Sequence, residues 1–113
     1  MKHQLNDIDI HIATGGRKFD AAGEVVIMLH GSGQNHLTWV LQSRYFAYRG
    51  FAVLAPDFPG HGLSGGSPLD SIEAMAAWVV ELMDSLDVKQ AVLVGHSQGC
   101  LVTLEAAARY PKR

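Results

Sequence analysis

At 113 residues the chain can form one domain with a modest core, and with 48% hydrophobic and 18% charged residues it reads as globular and rather apolar. A formal net charge of −2 gives no reason to expect nucleic acid or an anionic membrane as partner. The lone cysteine, Cys100, excludes an internal disulfide; residues 1–7 lack the apolar core of a signal peptide and no run reaches a membrane span, so the default expectation is a soluble, cytoplasmic protein.

Ile8, Ile10 and Ile12 alternate with Asp9 and His11, the period-two pattern of a half-buried strand. Gly15-Gly16 marks a turn, after which Arg17 to Ala22 is expected to pair back as a weaker strand. Val25 to Leu29 is a continuous apolar run that suits a strand covered on both faces, and Gly31 and Gly33 break it. Leu37, Val40, Leu41 and Tyr48 carry a helical period up to Gly50, which suits the left-handed position after a helix. Phe51 to Ala55 reads as another buried strand, closed by Pro56, and residues 57–68 are loop, rich in Gly and Pro. Asp70 is expected to cap the next helix with Glu73 as capping-box partner. Ile72, Met75, Val79, Leu82 or Met83, and Leu86 then fall on one face. Ala91 to Val94 is the last strand, and the helix behind it stops near Tyr110-Pro111. Strands alternating with helices imply an α/β fold, a mostly parallel sheet of about five strands with helices on both faces.

Chemistry concentrates where the last strand ends, in Gly95-His96-Ser97-Gln98-Gly99. A serine between a strand and a helix sits on a turn too sharp for side chains two residues to either side, and Gly95 and Gly99 meet that demand. The turn lifts the Ser97 hydroxyl above the sheet and aims a helix N-terminus at whatever reacts there. A second glycine-rich turn, His30-Gly31-Ser32-Gly33, follows the Val25 to Leu29 strand. A third segment, Asp57-Phe58-Pro59-Gly60-His61-Gly62-Leu63-Ser64, follows Phe51 to Ala55. In this order the three resemble the nucleophile elbow, the His-Gly-x-x loop and the Asp-x-x-Gly-His-Gly-x-Ser loop of the α/β-hydrolase family, in its serine-nucleophile, esterase- and lipase-like branch. The resemblance runs from Ile8 to Arg109.

It implies that Ser97 is the nucleophile of ester or related acyl hydrolysis, acting on a small-molecule substrate with neither cofactor nor metal. The backbone N–H groups of Ser32 and Gln98 would form the oxyanion hole. Asp57, Gly60, His61 and Gly62 would shape a loop near the site entrance, and His30 would pack beneath the turn made by Gly31 and Gly33. None of these would deprotonate the serine. An Asp at the nucleophile position marks the dehalogenase and epoxide-hydrolase branches, so Ser97 argues against both. His96 is expected to point away from Ser97. His3, His11 and His36 show neither metal-ligand spacing nor a carboxylate partner. Trp39 and Trp78 are expected in the core or facing a lid, and Cys100 buried and packed on the strand.

In the family the acid and the histidine of the triad follow the serine in chain order. Sixteen residues follow Ser97, and they include Glu105 but no histidine. The expectation is that residues 1–113 are the N-terminal part of a single α/β-hydrolase domain, a fragment, a truncated product or half of a two-chain enzyme, inactive alone. Strand Ala91 to Val94 would then carry an unpaired edge able to self-associate. A second reading is a non-catalytic binding or assembly module that keeps the oxyanion niche. A third is a dinucleotide-binding domain, from Gly31-x-Gly33-x-x-His36 with Asp57 ending the next strand, though His36 is bulky where Gly or Ala belongs.

Overall fold

The computed structural model describes residues 1–113. It opens with a hairpin of β1 (Lys2–Leu5) and β2 (Ile8–Ala13), in register Leu5↔Ile8 to Lys2↔His11. Asn6 and Asp7 take φ of 54° and 63°, the left-handed pair that a two-residue turn of matching twist requires and that Asn and Asp tolerate best. The partner of β2 on this side is therefore the segment before it. Residues 17–22, expected to pair back, form turns and no strand. The Asn6-Asp7 pair, not Gly15-Gly16, makes the hairpin turn.

β3 (Val25–Leu29) and β4 (Ala52–Pro56) are buried at every position and pair in parallel. β5 (Val92–Gly95) pairs in parallel with the other side of β3, with Met28 opposite Val94 and Leu29 opposite Gly95. The sheet order is β1-β2-β4-β3-β5, with β2 antiparallel to β4. The connection from β3 to β4 runs through a 3-10 turn (His36–Trp39) and α1 (Val40–Ala47); that from β4 to β5 runs through α2 (Ile72–Ser85). One crossover leaves β3 to one side and the next returns to the other. Between the C-terminal ends of β3 and β5 the strand order reverses, and such a crevice is where α/β sheets bind ligands.

The larger core joins Ile10, Ile12, Leu29 and Leu54 to Trp78, Val79, Leu82 and Met83 of α2 and to Val102 and Ala106 of α3 (Gln98–Arg109). The smaller core lies under α1, with Val26, Met28, Val53, Trp39 and Ala47. Helices thus cover both faces. Two helix details differ from expectation. Ser71, not Asp70, caps α2: its backbone is extended and its Oγ accepts the Ala74 N–H at 3.0 Å. That sets Ala74, not Glu73, in the capping position, so no capping box forms.

The apolar period of α1 faces outward: Leu37, Val40, Leu41 and Tyr48 are all more than half exposed. The helix instead buries Ser43 and Ala47, close against the turn after β2, where a Cβ on Gly15 would strike both the Ser43 carbonyl and Ala47. Small residues allow that close approach. No helix is long and apolar enough to cross a membrane.

Candidate active site

The turn between β5 and α3 is strained at one residue. Ser97 has φ 56° and ψ −119°, and the Gly99 N–H donates to the His96 carbonyl at 2.9 Å. These are the dihedrals and the bond of a type II′ turn with Ser97 at its first central position, where glycine is the usual occupant. A non-glycine residue there costs of order 1–3 kcal/mol and persists only when its surroundings enforce it. The enforcement is visible. A Cβ on Gly95 would run into the Gly99 carbonyl, and one on Gly99 into the Leu29 carbonyl. The start of α3 is therefore drawn directly onto β5 and β3, and Ser97 stands exposed at the crevice.

The loop after β3 abuts this turn. A Cβ on Gly31 would lie 3.1 Å from the Ser97 Cβ and 3.2 Å from the His96 carbonyl. Gln34 ties the two loops: its Oε1 accepts the Gly31 N–H at 2.9 Å and meets His96 Nδ1 at 3.2 Å. Sequence reasoning passed over Gln34, because its role depends on an approach between loops 62 residues apart. The Ser32 N–H donates no hydrogen bond within the chain. Gln98 is the first residue of α3, so its N–H has no intrahelical acceptor. Neither N–H therefore has a partner within the chain. His96 is exposed and held toward Gln34 and the edge of Trp39, its ring 6.4 Å from the indole.

The third loop is built around a buried carboxylate. Asp57 is 0% exposed; its Oδ1 accepts the His36 N–H and its Oδ2 the Leu63 N–H at 2.9 Å. A Cβ on Gly62 would strike that carboxylate, and one on Gly60 would strike Pro68. Ser64 Oγ closes the loop by donating to the Asp57 carbonyl at 2.7 Å. Asp57 is thus satisfied by its own loops and is not presented to a ribose.

His30 is also buried and fully engaged. Nε2 accepts the Phe58 N–H at 3.1 Å, so Nδ1 carries the proton and donates to the Gly31 carbonyl at 2.7 Å. Burial lowers its pKa from the ordinary 6.5, opposed by the Gly31 bond and reinforced by His61, whose ring lies 5.2 Å away. Neither nitrogen remains to act as a base. His61 turns Nδ1 to the Pro59 carbonyl.

Two expectations, for His36 and Cys100, are overturned, and that for the two tryptophans holds. His36 does have a carboxylate partner, with Nδ1 2.9 Å from Asp57 Oδ1, and the His11 ring lies against it, tilted by 54°, with centroids 4.5 Å apart. Burial, then His36, lowers the His11 pKa. Cys100 is exposed, with its thiol donating to the Gly95 carbonyl at 3.1 Å. Trp39 and Trp78 are both core residues, and Trp39 keeps a buried Nε1 with no partner. A cavity of about 730 Å³, lined by Val25, Asp87, Lys89, Val92 and Arg113, sits at the opposite end of the sheet and is unrelated to Ser97.

A family model for the alpha/beta hydrolase fold matches residues 24–113. The 2-hydroxy-6-oxo-6-phenylhexa-2,4-dienoate hydrolase of Burkholderia cepacia is 35% identical over 114 residues, spanning 96% of this chain and 38% of that protein. An epoxide hydrolase of Caballeronia sordidicola is 32% identical over 111 residues, spanning 96% and 32%. Among solved structures, the enol-lactonase from Burkholderia xenovorans superposes with a TM-score of 0.84 at 28% identity, covering 100% of this chain and 43% of that one. The chain spans between 27% and 41% of the length of the curated relatives it matches.

Proposed function

The chain belongs to the α/β-hydrolase family, and from that premise we propose that Ser97 is the nucleophile of a hydrolase acting on ester or related acyl bonds through an acyl-enzyme. The observation that carries the reading is the enforced type II′ turn, which spends backbone strain to hold one hydroxyl at the crevice between β3 and β5. In this reading Ser97 Oγ attacks the carbonyl carbon, and the N–H groups of Ser32 and Gln98 bind the oxygen as it gains charge. Each such fixed donor contributes about 3 kcal/mol to the tetrahedral state. Gln34 positions the Gly31 turn against the elbow. The relatives include an epoxide hydrolase as well as a dienoate hydrolase and a lactonase. Serine at the nucleophile position favours the acyl chemistry over epoxide opening.

The base is the missing part. Ser97 makes no side-chain capping bond, His30 has both nitrogens engaged, and residues 98–113 include no histidine. A serine hydroxyl without a base is a weak nucleophile at neutral pH. We therefore place the triad acid and histidine in polypeptide outside these 113 residues. Losing the histidine costs on the order of 10⁶-fold in enzymes built this way, with about 10³-fold over water surviving from the oxyanion hole and binding. The test is hydrolysis of p-nitrophenyl acetate by the purified chain beside Ser97→Ala. No serine-dependent turnover is expected. Robust turnover lost in Ser97→Ala would mean that a base lies among the residues present, and His96 and His61 would be the first to replace.

A further inference from the structure

We propose that His11, His36 and Asp57 form a binding site for one divalent transition-metal ion of the zinc type, with water completing its coordination. The three come from separate segments, β2, the 3-10 turn before α1 and the residue after β4, and the fold brings one ligand atom of each within 4.8 Å of the others. Around a tetrahedral ion with bonds of about 2.0–2.1 Å, donor atoms sit about 3.4 Å apart. Side-chain movements of roughly an ångström would close the cluster onto an ion. Two imidazoles and one carboxylate suit zinc, cobalt and nickel, whereas magnesium and calcium call for oxygen ligands throughout.

The framework exists without the ion. Leu63 N–H fixes Asp57 Oδ2, the His36 N–H fixes Oδ1, and Ser64 Oγ accepts the His11 N–H at 3.0 Å while donating to the Asp57 carbonyl. Metal binding breaks none of these bonds. It exchanges only the contact between the His36 ring and the Asp57 carboxylate for two metal bonds, releasing any proton held there. His36 also lines a cavity of about 280 Å³ with Thr14, Gly15, Ser43 and Arg44. Carboxylate orientation by backbone donors is the outer-shell support that built metal sites show. The ion would clasp the N-terminal hairpin to the loop after β4. The inference is independent of the role given to Ser97.

The test is a titration of tag-free, chelator-stripped chain with Co²⁺, followed by visible absorption. One Co²⁺ per chain is expected, with the intense band of a four-coordinate site, displaced by Zn²⁺. His11→Gln and His36→Gln should each weaken binding by about tenfold or more. His3→Gln, which alters a histidine of the same hairpin bonded to Ser85, should not. Zn²⁺ should also raise the melting temperature of the wild-type chain and of His3→Gln, and leave the other two unchanged. Absence of a band in folded wild-type chain, or binding undiminished in both His11→Gln and His36→Gln, would overturn the proposal.

Discussion

Ser97 sits in a conformation that only its neighbours hold in place, and this gives the site a measurable signature. Ser97→Gly should raise stability by about 1 kcal/mol in a denaturant titration, because glycine adopts φ 56° without strain, while Ser97→Ala should bring no such gain. Gly99→Ala should cost about 2–3 kcal/mol, since its Cβ meets backbone that cannot move away. His30 makes a second prediction at this scale. Its folded pKa lies below the ordinary 6.5, so the unfolded chain binds the proton more readily. Stability is therefore retained above about 6.5 and lost as pH falls through that value toward the folded pKa. His61, Asp57 and His36 face the same ring, and His11 shifts in the same direction. The melting temperature should fall between about pH 7.5 and 5.5, and His30→Gln should flatten that fall. The elbow was legible in sequence because its glycines and serine are contiguous. Gln34 and the His11–His36–Asp57 cluster were not, because each joins residues 21 or more apart whose meeting depends on the sheet order.

Among the elements, the strands whose burial is complete were the easiest to read. β3 and β4 are covered on both faces, so uninterrupted apolar runs mark them, and α2 buries the face that its period predicted. β1 carries no such pattern. Lys2, His3, Gln4 and Leu5 form a strand because the Asn6-Asp7 turn returns the chain, and only Leu5 among them is buried. The apolar period of α1 misled for a physical reason, since the helix is seated on Ser43 and Ala47 and leaves its large side chains outside. The capping correction at α2 is directly testable. Ser71→Ala should destabilise the chain by about 1 kcal/mol through loss of the bond to the Ala74 N–H. Asp70→Ala, at an exposed position without that bond, should change stability by less than about 0.5 kcal/mol.

For the whole molecule the decisive feature is the flank of β5. This strand pairs only with β3, Val92 is 62% exposed, and Leu101 and Leu104 of α3 lie open beside it. An apolar cavity of about 240 Å³ between α2, α3 and Leu93 opens near the same strand, lined by Val79, Met83, Ala106 and Pro111. A parallel, apolar edge of this kind recruits other chains. The purified 113 residues should sediment as oligomers, and Val92→Lys should shift them toward monomer; a compact monomer with a sharp cooperative melt would contradict this. Completion of that edge and supply of the base are expected from the same additional polypeptide. The most direct measurement is therefore intact-mass analysis of the chain after reaction with p-nitrophenyl acetate, in the presence of a C-terminal half from a relative that carries the acid and histidine. With Ser97 as nucleophile, turnover is restored and a transient acetyl adduct forms on Ser97, both lost in Ser97→Ala. Restored turnover that persists in Ser97→Ala, or an adduct on any other residue, would contradict that role.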